Sequence, residues 1–489
     1  MMDLASTPQP RLGVALRAGA FCALAYLSSC SPDSPPEEAH EFPEARTVVL
    51  VTIDTLRADF VSYSGRGEIT TPYLDSLAEG GVIIKNAYAP SSLTAPSMAS
   101  LITGVYPTTH GIHTGLFAGG PAVGIEKKVV PGDLVTLAES FQQAGYVTIG
   151  VPSNKNLTEE LGFGQGFDFY LDEAPFMDAP FVNEKVREQL ELAFGPEWKT
   201  KWKQEKTFLW IHYFDPHVPY RAREPWIRDY APDFAENPSR YPANLPAPAM
   251  RRRLPDDDPE RAEKITPLYS SEIRFLDDRF ERLASELGLA EPDVALIVTS
   301  DHGEEFFEHG KLNHGKSLFE EVVRVPMFAR WPEGLPSARA VDDAVSLLDV
   351  YPTLLDMCGI EPPSGLQGVS FAPLLLEPLS PETAPSSSRP LIFEQAITNA
   401  QCSLAAVIVG EWKLIRTLGV EESLQLYNLQ QDPTESNDLA ASQPERVQKL
   451  ESLLQRVMER LPDSAELSST WTDDPELRKE LQDLGYTGE

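Results

Sequence analysis

The chain has 489 residues, which at roughly 100–200 residues per domain allows two or three domains. A hydrophobic fraction of 42% and a charged fraction of 24% belong to a packed globular body and exclude wholesale disorder. The formal net charge of −33 excludes general nucleic-acid binding, because so acidic a surface repels a phosphate backbone and releases no counterions from it.

In chain order, a leader comes first. Arg11 and Arg17 precede the uncharged run Ala18–Leu27, which fits the apolar core of a secretory signal and is too short to span a membrane. Leu27-Ser28-Ser29-Cys30 resembles the lipobox of bacterial lipoproteins. That resemblance implies cleavage before Cys30, lipidation of its sulfur, and membrane association through acyl chains on an exported, cell-envelope protein. A plain signal peptide with an incidental cysteine is the competing reading. Residues 1–29 are therefore expected as signal and 30–45 as a Pro/Glu/Ser-rich tether.

Four apolar β-type runs follow, each ending in a polar group. Thr47–Ile53 leads to Asp54, Tyr146–Val151 to Asn154, Thr207–Phe214 to Asp215, and Val294–Thr299 to Asp301. Runs this continuously apolar belong to sheets covered on both faces. Tyr269, Ile273, Leu276, Phe280, Leu283 and Leu287 recur at spacings of three and four and form one helical face. Alternating strands and helices predict an α/β fold with its site beyond the carboxyl ends of the strands. Arg221–Pro259 reads as a long insertion able to rim that site. A catalytic domain over 46–379, a linker over 380–390 and a smaller C-terminal sheet with a closing helix over 391–489 complete the expected organisation.

The chemistry centres on Thr94, which precedes a helix carrying Pro96 in its first turn. As a helix cap it would accept backbone N–H bonds; as a nucleophile it would use the same positive helix end to stabilise oxyanions. A threonine hydroxyl needs a metal or a base to react near neutral pH. Asp54, Asp301 and His302 are donors suited to a divalent ion such as zinc, manganese or calcium. A second cluster is available in Asp215, His217, His309 and His314. His110 and His212 read as structural, Arg57 and Asp59 as a pair, Asp349 as a helix cap, and Glu304 and Glu305 as solvated. Asn154 suits either a phosphoryl contact or a turn, and Lys311 and Lys316 either ester oxygens or solvent. Cys358 and Cys402 allow one disulfide or two thiols.

These residues lie in motifs that resemble the sulfatase family of the alkaline-phosphatase superfamily. They are VTIDTLRAD (Val51–Asp59), TAPSMASLITG (Thr94–Gly104), TLAESFQQAGY (Thr136–Tyr146), GFGQGFD (Gly162–Asp168), HYFDPHVPY (His212–Tyr220) and YSSEIRFLDD (Tyr269–Asp278). TSDHGEEFFEHG (Thr299–Gly310), HGKSLFEEVVRVP (His314–Pro326), DVYPTLLDMCGI (Asp349–Ile360) and LYNLQQDPTESNDLA (Leu426–Ala440) extend the match. The resemblance implies an α/β sandwich with a mostly parallel central sheet, a small four-stranded C-terminal sheet, and metal-dependent cleavage of sulfate or phosphate esters. It places Asp54, Asp301 and His302 on the metal and Thr94 at the nucleophile position. Asp215, His217 and His314 are assigned to a second ion, or His217 to substrate, and Asn154, His309 and Lys311 to substrate.

Three departures qualify the resemblance. Thr94 replaces the family's cysteine or serine and Met98 its arginine, so no formylglycine is expected. Thr55 stands where many sulfatases carry a second aspartate. A threonyl ester lacks the second hydroxyl through which a formylglycine hydrate expels sulfate, so water must open it. The superfamily branches that use threonine handle phosphorus. The leading expectation is therefore a hydrolase, dependent on one or two divalent ions, that cleaves phosphate or sulfate esters of a small molecule, glycan or lipid through a covalent threonyl ester. A phosphoethanolamine-like transferase and an inactive binding protein of the same fold are the alternatives.

Overall fold

The computed structural model describes residues 42–43, 45–114, 129–172, 177–332, 335–376, 389–397, 402–419 and 422–462. The leader with Cys30, residues 380–388 of the expected linker and everything after 462 lie outside the described residues. Eight strands make the large sheet: Thr47–Ile53 (β1), Val82–Tyr88 (β2), Val147–Pro152 (β3), Phe169–Tyr170 (β4), Thr207–Tyr213 (β5), Val294–Ser300 (β6), Arg324–Arg330 (β7) and Arg339–Ser346 (β8). Their order is β4-β3-β5-β1-β6-β7-β2-β8, and only β7 runs against its neighbours.

Burial on both faces explains the apolar runs. In β1, Val49, Val51 and Ile53 enter one core layer, while Val48 and Leu50 enter the other. The same alternation holds in β5, with Leu209 and Ile211 opposite Phe208 and Trp210. The helix Arg261–Leu287 covers the first face, and all six residues of its expected stripe are buried.

The small sheet consists of Leu391–Ile397 (β9), Cys402–Val409 (β10), Trp412–Leu418 (β11) and Ser423–Asn428 (β12), all antiparallel in the order β12-β11-β10-β9. The helix Pro444–Arg460 closes one face, and the other packs on Leu318, Phe319, Val322 and Val323. Both sheets lie in one compact unit, Glu41–Glu489. Cys358 is a free thiol, so the disulfide left open by the sequence is not formed. Among the described residues, no helix is long and apolar enough to cross a membrane.

Candidate active site

The parallel ladder delivers its strand ends to one edge. Asp54 follows β1 and Asp301 follows β6, and each extends the ladder by one backbone bond, to the carbonyls of Tyr213 (2.9 Å) and Ile53 (3.4 Å). Asp54, Asp301 and His302 each offer one ligand atom, all within 4.8 Å of one another, and all three side chains are fully buried. Asp301 Oδ1 accepts the amides of Thr55 (3.0 Å) and His302 (2.8 Å), and Asp54 Oδ2 accepts the Asn154 amide nitrogen (2.6 Å). The opposite oxygens, Asp54 Oδ1 and Asp301 Oδ2, are buried with no hydrogen-bond partner. Burial, with Asp301 beside it, pushes Asp54 up to about 7. Two orphaned carboxyl oxygens and an imidazole, in a buried set whose ligand atoms lie within 4.8 Å of one another, fit a divalent cation.

The histidines around this set present acceptors. Nδ1 of His302 donates to the Gly303 carbonyl (2.8 Å), which leaves the Nε2 lone pair facing the site. Nδ1 of His314 meets Glu304 Oε1 at 3.0 Å, and Nδ1 of His217 meets the Val218 carbonyl at 2.6 Å. The His314 ring lies 4.4 Å from that of His302 and 5.0 Å from that of His217. Burial holds His314 down at about 4 and also lowers His217, so both rings are neutral near pH 7.

Thr94 completes the arrangement. It is the first residue of the helix Thr94–Thr103, and Leu93 is the cap, without a side-chain bond. The capping reading is thereby corrected, because the threonine hydroxyl is not spent on the backbone. Its Oγ1 lies 3.4 Å from His302 Nε2. Ser97, one turn on, donates its hydroxyl to the Asp301 carbonyl (2.6 Å) and ties the helix to the site. Met98 is fully buried in the core layer behind.

Several sequence expectations are corrected. Asp215 does not join a second metal site. One of its oxygens accepts Arg223 (2.7 Å) and the other the Ala179 amide (2.6 Å), and among the described residues the set of three whose ligand atoms lie within 4.8 Å of one another is Asp54, Asp301 and His302. His217 and His314 lie beside this set, the His314 ring being 4.4 Å from that of His302 and 5.0 Å from that of His217. His309 does not face substrate: its nitrogens meet Glu321 (2.6 Å) and the Glu435 carbonyl (3.1 Å), and its ring stacks on Phe319. Lys311 donates to the Lys316 carbonyl (2.7 Å) and tightens its own loop. Asn154 orients Asp54 and turns the chain at once, since its Oδ1 accepts the Asn156 amide (2.9 Å).

Glu304 and Glu305 are fully buried rather than solvated. Glu304 bridges the Tyr220 hydroxyl (2.7 Å) to His314, while Glu305 accepts the Lys311 amide (2.7 Å) and the Ser317 hydroxyl (2.9 Å). Gly303 was the available signal, because a Cβ there would lie 2.0 Å from the Glu321 carbonyl oxygen. The chain after His302 is pressed under that segment. Arg57 pairs with Asp59 (2.8 Å) as expected and also with Glu308 (2.6 Å).

An α/β fold with this buried donor set at its strand ends fits an ester hydrolase able to hold a divalent cation. The sulfatase family model matches residues 46–360, and the model of the N-sulphoglucosamine sulphohydrolase C-terminal region matches 308–463. The chain belongs to the sulfatase family. It is 24% identical over 446 residues to the uncharacterized sulfatase YidJ of Escherichia coli K12, covering 80% of this chain and 82% of that one. It is 24% identical over 527 residues to an N-acetylglucosamine-6-O-sulfatase of Bacteroides thetaiotaomicron, covering 91% and 92%. The fold also matches the phosphonate monoester hydrolase of Agrobacterium radiobacter at a TM-score of 0.65 and 20% identity, over 86% of this chain and 97% of that one.

Proposed function

We propose that the chain is an exported, lipid-anchored hydrolase that prefers phosphate over sulfate esters and uses Thr94 as its nucleophile. The observation that carries this reading is the Thr94 hydroxyl, uncapped at a helix N-terminus and 3.4 Å from His302 Nε2. Asp54, Asp301 and His302 would hold a divalent ion, which supplies charge neutralisation to the reacting oxygens when bound.

The chain's own residues do the rest. Thr94 Oγ1 forms a bond to phosphorus as its proton passes to the ester oxygen, which takes the electron pair of the broken P–O bond and leaves as the alcohol. Water then attacks the threonyl ester and regenerates Thr94. His314, neutral and oriented by Glu304, offers its Nε2 lone pair to the proton of that water, and the glutamate stabilises the imidazolium that forms. The His314 imidazolium gives that proton to the departing threonyl oxygen, which restores both groups as the cycle closes.

A local cationic rim supports an anionic substrate on an otherwise acidic protein. Burial and the neighbouring Arg251 hold Lys316 below its usual range, and Arg251 rises from the helix Ala247–Arg253 of the insertion. The insertion is fixed to the site through the Asn244 amide, which donates to the Tyr220 carbonyl (2.7 Å). Aryl phosphate monoesters, phosphate diesters and sulfate esters, compared under one metal condition, test the reading. Phosphate esters should turn over fastest; exclusive sulfate turnover contradicts the reading.

A further inference from the structure

Three polar contacts run behind the cation site. The Trp210 indole nitrogen lies 2.9 Å from Thr52 Oγ1, Thr52 Oγ1 lies 2.8 Å from His212 Nδ1, and His212 Nε2 lies 3.6 Å from Asp54 Oδ2. An indole N–H can only donate, so Thr52 Oγ1 is its acceptor. The single Thr52 proton then has two acceptors in reach, His212 Nδ1 and the more distant Ile211 carbonyl at 3.4 Å. The shorter contact takes it, and an Nδ1 that accepts leaves the ring proton on Nε2. That Nε2 is fully buried and has no hydrogen-bond partner.

The result at Asp54 is asymmetric. Oδ2 has the Asn154 donor at 2.6 Å and the His212 N–H beyond it, whereas Oδ1 has none. We propose that His212 is a positioning residue: the Trp210–Thr52 relay fixes its Nε2–H, and that dipole holds Asp54 so that Oδ1 is presented to the cation. Partners that orient a ligand in this way typically alter metal affinity about 10–100-fold when removed.

The test titrates the purified full chain with Ca²⁺, Mn²⁺ and Zn²⁺, each alone, by calorimetry. His212→Leu should weaken binding of the preferred ion about 10–100-fold. His212→Gln, whose side-chain amide can donate from near the Nε2 position, should recover most of the loss. Long-range ¹H–¹⁵N spectra of the wild-type imidazole should show the Nε2–H tautomer, a readout that stands even if the leucine variant fails to fold. Unchanged affinity in His212→Leu, equal loss in both variants, an Nδ1–H tautomer, or no binding of any of the three ions by the wild type would each overturn the proposal.

Discussion

Thr94 shows how much one side chain can carry. Its hydroxyl is buried 3.4 Å from Nε2 of His302, one of the three residues suited to a cation, so its removal should stop chemistry without dismantling that set. Thr94→Ala is expected to lower kcat by at least about 10³-fold while metal content, measured by elemental analysis, stays at the wild-type level. Retained activity would remove the threonine from the mechanism. Arg223 is the opposite case, a residue whose work is structural. It pairs with buried Asp215 (2.7 Å) and Glu272 (2.5 Å), which burial has already pushed up to about 6 and about 8. Arg223→Met strands both carboxyl groups and should cost about 3 kcal/mol in urea unfolding, whereas an unchanged midpoint would deny the pairing its role.

Individual elements differ in how plainly the chain announces them. The central strands β1, β5 and β6 and the stripe of the Arg261–Leu287 helix were legible because burial leaves an unbroken apolar or three-and-four pattern. The strands β2, β7 and β8 were not. β2 carries Lys85 and Asn86 across a register shift, and β8 is an edge strand bearing Asp342 and Asp343, so neither shows a clean period. The loop between Gly303 and Ser317 misled by composition: its charges look solvated, yet most are consumed internally. His309 illustrates the consequence. Against the opposing effect of burial, the bond and charge of Glu321 lift it to about 9. A raised imidazole contributes stability that is complete below its unfolded value near 6.5 and disappears as pH climbs through about 9. His309→Gln should therefore be less stable than wild type by roughly 1 kcal/mol at pH 6, a gap that closes by pH 10 in paired thermal melts. A gap that widens with pH would reverse the assignment.

For the whole molecule, topology does what spacing alone cannot. Asp54, Thr94 and Asp301 are scattered over nearly 250 positions of sequence, and the parallel order β5-β1-β6 with the Thr94 helix brings them together. The donor triad and the threonine were readable from strand ends and motif order. The partition of His217, His314 and Asp215 was not, because it depends on which carboxylates Arg223 and Tyr220 occupy across the fold. The arrangement puts a buried set of cation donors beside an alcohol in a member of the sulfatase family. Acid-quenched mass spectrometry of the enzyme during turnover of an aryl phosphate tests this most directly. The account predicts one phosphoryl group on the peptide containing Thr94, absent in Thr94→Ala; steady turnover with no adduct there, or an adduct on another residue, would contradict it.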